Sequence, residues 1–294
     1  MRTVQVVLAP VKALILSFAI TAIGQGAWGV MVMANLRWGQ QAPWCVPAMA
    51  GVLVLLLAYL GGAGWPRRTA AARRRLLRWN PMAPGVFLWA VFTGVLALVA
   101  LGGAWIVVSD LVRMPPNVTP DVTGRPALFV VPILVMSCLA APLSEEAAFR
   151  GYAQGMLERA WCWAPAAVVG SSLIFALAHA PQGLFLPKLG LYFLAGLIFG
   201  TIARLTNSLW ASMVVHSLGD VMGFLVLWPY QSAPHRLVGE GGADQTFFGA
   251  AAVAGAFGIL ALIAFSRLAG MTKGPSLGRA TLGPGTMSYP QTEV

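Results

Sequence analysis

Charge is what this 294-residue sequence has least of: Asp, Glu, Lys and Arg together make up 10% of it, against 58% hydrophobic residues. Soluble domains carry about a quarter charged residues, so a globular surface facing water on all sides is excluded. Negative charge is scarcer still, with nine Asp and Glu against 19 Lys and Arg and a net charge of +10. Cysteine is limited to three residues, Cys45, Cys138 and Cys162. They form no CxxC or zinc-knuckle spacing, which excludes a disulfide framework and a structural zinc ribbon. Each lies in or beside an apolar segment, where Cys acts as a small hydrophobe. Missing too are the repeated halves of many transporters and, after the first apolar run, the small-residue cleavage pattern of a removable signal peptide. That run is expected to be retained as a helix.

What the sequence does have is long apolar runs: residues 11–36, 44–65, 86–108, 127–143, 164–178, 189–203, 209–227 and 247–265. About 20 helical residues cross a bilayer, so the runs predict an all-α, polytopic integral membrane protein with about eight transmembrane helices. Arg67, Arg68, Arg73, Arg74, Arg75 and Arg78 crowd into one connection, 66–83, and basic connections mark the cytoplasmic side. With eight crossings both termini are then cytoplasmic, in the inner membrane of a bacterium if the excess of Arg over Lys reflects a GC-rich genome. The same rule accounts for the basic balance with membrane lipid as the partner, and no nucleic acid is invoked.

Three regions follow. Residues 1–110 hold three helices with almost nothing ionisable in their apolar cores and are expected to be scaffold. After a Pro-, Asn- and Thr-rich loop containing the sequon Asn117–Val118–Thr119, residues 127–270 carry buried charge and are expected to be the working core. There Gly196 and Gly200 form a small-xxx-small pattern that lets helix backbones approach closely. Residues 271–294, rich in Gly, Pro, Ser and Thr, are expected to be a disordered tail.

Within that core, Glu145, Glu146 and Asp220, with His179 and His216, fall in or against helix-forming apolar sequence. An ionisable group at a helix centre costs roughly 2.5–3.5 kcal/mol on insertion scales, so five in one region call for a use. On an α-helix Glu146 and Arg150 at i,i+4 share a face while Glu145 points about 100° away. Arg150 thus neutralises Glu146 and leaves Glu145 without a cation, the condition for a general base or acid. The competing structural reading is that Ser144 caps a helix whose first turn carries two acids. Phe175 and His179 share a face ahead of Ala180–Pro181, where a helix must end or kink. His216 and Asp220 do the same one turn apart, as a metal-ligand pair, an oriented base or an ion pair. Attack of water on a carbonyl needs such a convergent set of acid, base and donor. Prolines 132, 142, 165, 181 and 187 are expected to break or loosen these helices around a cavity.

Taken in order, Glu145-Glu146-x-x-x-Arg150, Phe175-x-x-x-His179 and His216-x-x-x-Asp220 resemble the three motifs of the CAAX prenyl protease and bacteriocin-processing family, which includes the Ras-converting endopeptidases. The likeness covers 131–227. It implies an intramembrane endopeptidase acting on a membrane-associated, CAAX-like or otherwise hydrophobic peptide or protein. Glu145 would activate water, His179 would help hold it, and His216 and Asp220 would support the oxyanion or bind a metal, with Glu146, Arg150 and Phe175 in support. Well-understood members carry Asn where this chain has Asp220. An ionised Asp accepts hydrogen bonds but cannot donate one, and it is the better metal ligand. A metal-free glutamate mechanism and a zinc mechanism using His179, His216 and Asp220 both stand. So do two readings without proteolysis, a proton-coupled transporter and a bacteriocin-immunity or scaffold member of the same family. One feature is discordant: Glu145 and His216 lie towards the middle of their segments, whereas His179 closes the end of its own.

Overall fold

The computed structural model of the protein describes residues 2–38, 42–115, 122, 124–233 and 235–272. The sequon and all but the first two residues of the expected tail lie outside them. Among the described residues the chain is helical throughout, with no strand. A continuous N-terminal helix is made of α1 (Arg2–Thr21), a π turn (Ala22–Gly26) and α2 (Ala27–Arg37). There follow α3 (Cys45–Leu60), α4 (Ala70–Leu77), α5 (Pro84–Leu111), α6 (Ala127–Glu145), a π segment (Glu146–Ala153), α7 (Gln154–Trp161), α8 (Ala164–Ala178), α9 (Leu186–Thr206), α10 (Trp210–Met222), a π turn (Gly223–Leu227), α11 (Trp228–Ser232) and α12 (Gln245–Thr272).

Six spans are long and apolar enough to cross a membrane: Val6–Arg37, Pro84–Leu111, Ala127–Trp161, Leu186–Thr206, Trp210–Ser232 and Gln245–Thr272. All eight predicted runs form helices, but α3 and α8 have only 16 and 15 residues. At 1.5 Å per residue they reach about 24 and 22 Å, short of a hydrocarbon core of about 30 Å. The expected count of about eight crossings therefore stands at six by length. The shortness of α8 also accounts for the discordant position of His179. That residue closes the helix, and the chain turns at once through Ala180–Gln182 and Gly183, whose φ of +122° suits glycine.

Two expectations about helix ends are corrected. The run at 127–143 does not stop before the acidic motif: helix continues through it to Trp161, 35 residues in all. Ser144 is thus inside a helix rather than at its cap, with its hydroxyl donating to the Ala140 carbonyl at 2.6 Å. The prolines do not all break helices either. Pro132 and Pro142 sit within α6, whereas Pro165 and Pro187 occupy the first turns of α8 and α9, where a missing N–H costs nothing.

The basic connection 66–83 is folded. Arg73 is buried and donates to the carbonyls of Tyr59 at 2.8 Å and Ala63 at 2.8 Å, and to Thr69. Arg78, also buried, pairs with Glu158 at the end of α7. Arg67, Arg68, Arg74 and Arg75 stay exposed, so two of the six arginines serve as internal struts.

Small residues set the helix spacing. A Cβ on Gly103 of α5 would lie 2.7 Å from the Ala250 carbonyl and 2.9 Å from the Ala254 nitrogen of α12, and one on Gly196 of α9 would lie 2.8 Å from Ser172 Cβ of α8. With no hydrophobic drive between helices in lipid, such close packing holds the bundle together. Gly103→Val is expected to push α12 off α5, because the obstacle is backbone, and to destabilise by about 1–3 kcal/mol; a lowered thermal midpoint in detergent checks it, with Gly249→Ala, at a position with open space, as the neutral control.

Candidate active site

Four segments converge on one buried polar cluster. Glu145 ends α6, Glu146 and Arg150 lie in the π segment that follows, His216 and Asp220 come from α10, and Gln25 comes from the N-terminal helix. Glu145, Glu146, Arg150 and His216 are all 7% exposed or less. The helix carrying the acidic motif is wound with i→i+5 bonding over eight residues, a rare geometry that recurs at functional sites. The expected α-helical face relation is thereby altered in pitch, yet the pairing it implied is present. Arg150 Nη1 lies 3.1 Å from Glu146 Oε1, with both side chains fully buried.

That ion pair fixes a histidine. His216 Nδ1 is 2.9 Å from the same Glu146 oxygen, and a carboxylate held by Arg150 can only accept, so Nδ1 carries the proton. The neutral ring then turns the lone pair of Nε2 away from Glu146. Nε2 lies 3.8 Å from Glu145 Oε2 and 3.7 Å from Asp220 Oδ1. These gaps are too long for direct hydrogen bonds and are of the size at which a bridging water is the natural connector. Arg150 forms its ion pair with Glu146 and not with Glu145, as the spacing suggested; Glu145 Oε1 instead accepts from Gln25 Nε2 at 3.3 Å.

Phe175 is the partition of the site. Its ring lies 4.7 Å from His179, 5.9 Å from His216 and 5.2 Å from Phe149, and the Arg150 guanidinium sits 4.2 Å from its centroid. Phe199 stacks on His216 at 4.4 Å and also lies beside Arg150, at 5.2 Å. Arg150 is thus enclosed by aromatic faces, and its Nη2 reaches the Gly196 carbonyl at 3.3 Å. Ring quadrupoles attract a cation most where water is excluded.

His179 joins through rings rather than hydrogen bonds. Its Nδ1 is 2.8 Å from the Phe175 carbonyl and so must donate, which leaves Nε2 as its acceptor, and its ring stacks on Tyr192 at 4.0 Å. Among the described residues no three His, Cys, Asp or Glu side chains form a group able to hold a metal ion. The zinc set expected from sequence, His179, His216 and Asp220, does not fit a three-ligand site in this arrangement.

All seven motif residues fall in one stretch of the chain, and that stretch has a known counterpart: residues 127–222 match the family model described as type II CAAX prenyl endopeptidase, Rce1-like. Over that stretch the chain is similar to the CAAX-protease family. The match takes in roughly a third of the chain, and the family is one of proteases. No curated protein and no solved structure is significantly similar to the chain.

The Rce1-like segment does not contain every side chain of the cluster. Gln25, assigned from sequence to inert scaffold, touches Glu145, and its only signal was an amide between Gly24 and Gly26 in an otherwise apolar run. Phe199 and Tyr192 carried no signal, because an aromatic residue in a membrane helix is ordinary. Removing the guanidinium, as in Arg150→Met, strands the buried Glu146 charge and is expected to cost about 3–5 kcal/mol, seen as lost monodisperse protein in detergent; Glu146→Gln combined with Arg150→Met is expected to recover part of that yield.

Proposed function

We propose that the protein is an intramembrane endopeptidase that hydrolyses a peptide bond of a membrane-associated, CAAX-like or otherwise hydrophobic substrate, with Glu145 as the base. The observation that carries this reading is the asymmetry of the adjacent acids: Glu146 is ion-paired with Arg150 and held by His216 Nδ1, while Glu145 forms no ion pair with Arg150 and faces His216 Nε2. In the proposed reaction Glu145 accepts a proton from water as the water oxygen bonds to the substrate carbonyl carbon. The carbon–nitrogen bond then breaks, and the proton passes to the leaving amine.

His179, with its Nε2 open, helps hold the water beside Glu145. Glu145, Asp220 and the two Nε2 atoms are all acceptors when the carboxylates are ionised and the rings neutral. One further proton, shared among His216 and its flanking carboxylates, therefore has to supply the donor that the oxyanion needs. This is where Asp220 departs from Asn: a protonated Asp can donate, as an amide does. A resident zinc ion would polarise the carbonyl and generate hydroxide, but no three-ligand group to hold it is present among the described residues. The exposed arginines around α4 support a cytoplasmic location for that end of the bundle, with membrane lipid around the six long spans.

The test is cleavage of a panel of prenylated and unprenylated hydrophobic peptides by the purified full-length protein. Wild type is expected to cleave and Glu145→Gln to lose at least a hundredfold in kcat while keeping its thermal midpoint, since the general-base contribution is about 10²–10⁴-fold. Insensitivity to a strong zinc chelator is expected for the glutamate mechanism; loss of activity restored by added zinc would overturn it. Undiminished cleavage by Glu145→Gln would remove Glu145 from the role of base.

A further inference from the structure

The side chain nearest Glu145 that lies outside the Rce1-like segment is Gln25, and its surroundings are built with unusual closeness. Gly24 presses on Ser144, the residue before Glu145: a Cβ there would stand 2.3 Å from Ser144 Cβ. Four residues on, Trp28 Nε1 donates to Ser137 Oγ of α6 at 3.0 Å. Both contacts fix the N-terminal helix against α6 on either side of Gln25. Gln25 belongs to the π turn Ala22–Gly26, and the carboxylate it touches is that of the residue just before the second π segment. Two rare helical irregularities from distant parts of the chain thus flank one carboxylate, and such irregularities concentrate at functional sites.

The amide contact is also chemically selective. Gln25 Nε2 engages Glu145 Oε1 at 3.3 Å, whereas Oε2 is the oxygen 3.8 Å from His216 Nε2. With Oε1 occupied, the carboxylate cannot rotate freely, and only Oε2 is presented to the gap between His216 and Asp220. We propose that Gln25 is a positioning residue for Glu145: it holds one oxygen of the carboxylate so that the other faces the water, and the N-terminal helix is thereby part of the active site. This rests on the reading of Glu145 as the base. Interhelical amides also act simply as packing glue in membranes, and the two roles differ in what a shape-conserving substitution does.

Gln25→Met keeps length and volume and removes the N–H donor. The first readout needs no substrate: full-length protein in nanodiscs is treated at pH 7 with dicyclohexylcarbodiimide, which enters apolar sites and reacts with protonated carboxyl groups, and labelling at Glu145 and Glu146 is quantified by mass spectrometry. Loss of a donor that favours the carboxylate is expected to raise Glu145 labelling several-fold in Gln25→Met, with Glu146 unchanged and the thermal midpoint retained. Equal labelling of Glu145 in the two proteins overturns the proposal, as does a parallel rise at Glu146, which would mean loosened packing. The second readout is kinetic, with any peptide the wild type cleaves: kcat is expected to fall about ten- to hundredfold at unchanged KM, the loss typical of one hydrogen bond to a charged group. A rise in KM alone overturns it. If wild type cleaves no peptide, the proteolytic reading loses its support, while the labelling comparison still decides the role of Gln25.

Discussion

Everything in the core is arranged around one buried ion pair, Glu146 with Arg150. Two opposite charges out of water are tolerated only with good geometry and satisfied remaining valences. The surrounding structure supplies part of this, since Glu146 Oε2 and Arg150 Nε are buried without a hydrogen-bond partner. Arg150 is surrounded by the rings of Phe149, Phe175 and Phe199 and reaches the Gly196 carbonyl; Glu146 uses the same oxygen to anchor His216. The pair thereby dictates which nitrogen of His216 holds its proton, and it ties α10 and the Gly196 carbonyl of α9 to the acidic segment. Glu145, one residue earlier, has a different fate because it forms no ion pair with Arg150 and meets Gln25 and His216 Nε2 instead.

The two histidines, from different helices, are wired the same way. Each directs Nδ1 to a fixed acceptor, the Glu146 carboxylate for His216 and the Phe175 carbonyl for His179, and each keeps Nε2 in reserve. Phe175 stands between them, so the motif phenylalanine is as much part of the electrostatics as the charged residues. It lies against both rings while offering the guanidinium its face.

Much of this was legible in the sequence, for definable reasons. The all-helical class follows from the length of the apolar runs, and the Glu146–Arg150 partnership from a spacing that keeps two side chains adjacent in either an α or a π winding. The three motifs announced their meeting because ionisable residues are rare in such segments. What stayed hidden was whatever depends on distance rather than type. The end of α8 was discordant because a run of 15 residues was counted as a full crossing. The arginines between α3 and α5 looked alike, yet Arg73 and Arg78 are internal struts, since nothing local distinguishes a solvated guanidinium from one satisfied by distant carbonyls. Gln25 was invisible for the same reason, being more than a hundred residues from the carboxylate it touches.

The π segment has a consequence for how this chain can change. Eight residues are wound with one extra per turn in the middle of a 35-residue helix, so the helix on either side is phased to that excess. Deleting a single residue there would offer the strand of backbone an ordinary α-helix, locally the more comfortable winding. Because the wider winding already absorbs that surplus residue, α7 would keep nearly its present phase, and the change would fall on the segment itself, moving Glu146 and Arg150 relative to Glu145. The segment behaves like a slack link between two aligned shafts: its surplus residue sets how the acidic motif faces His216 while leaving α7 tied to the basic end of the bundle.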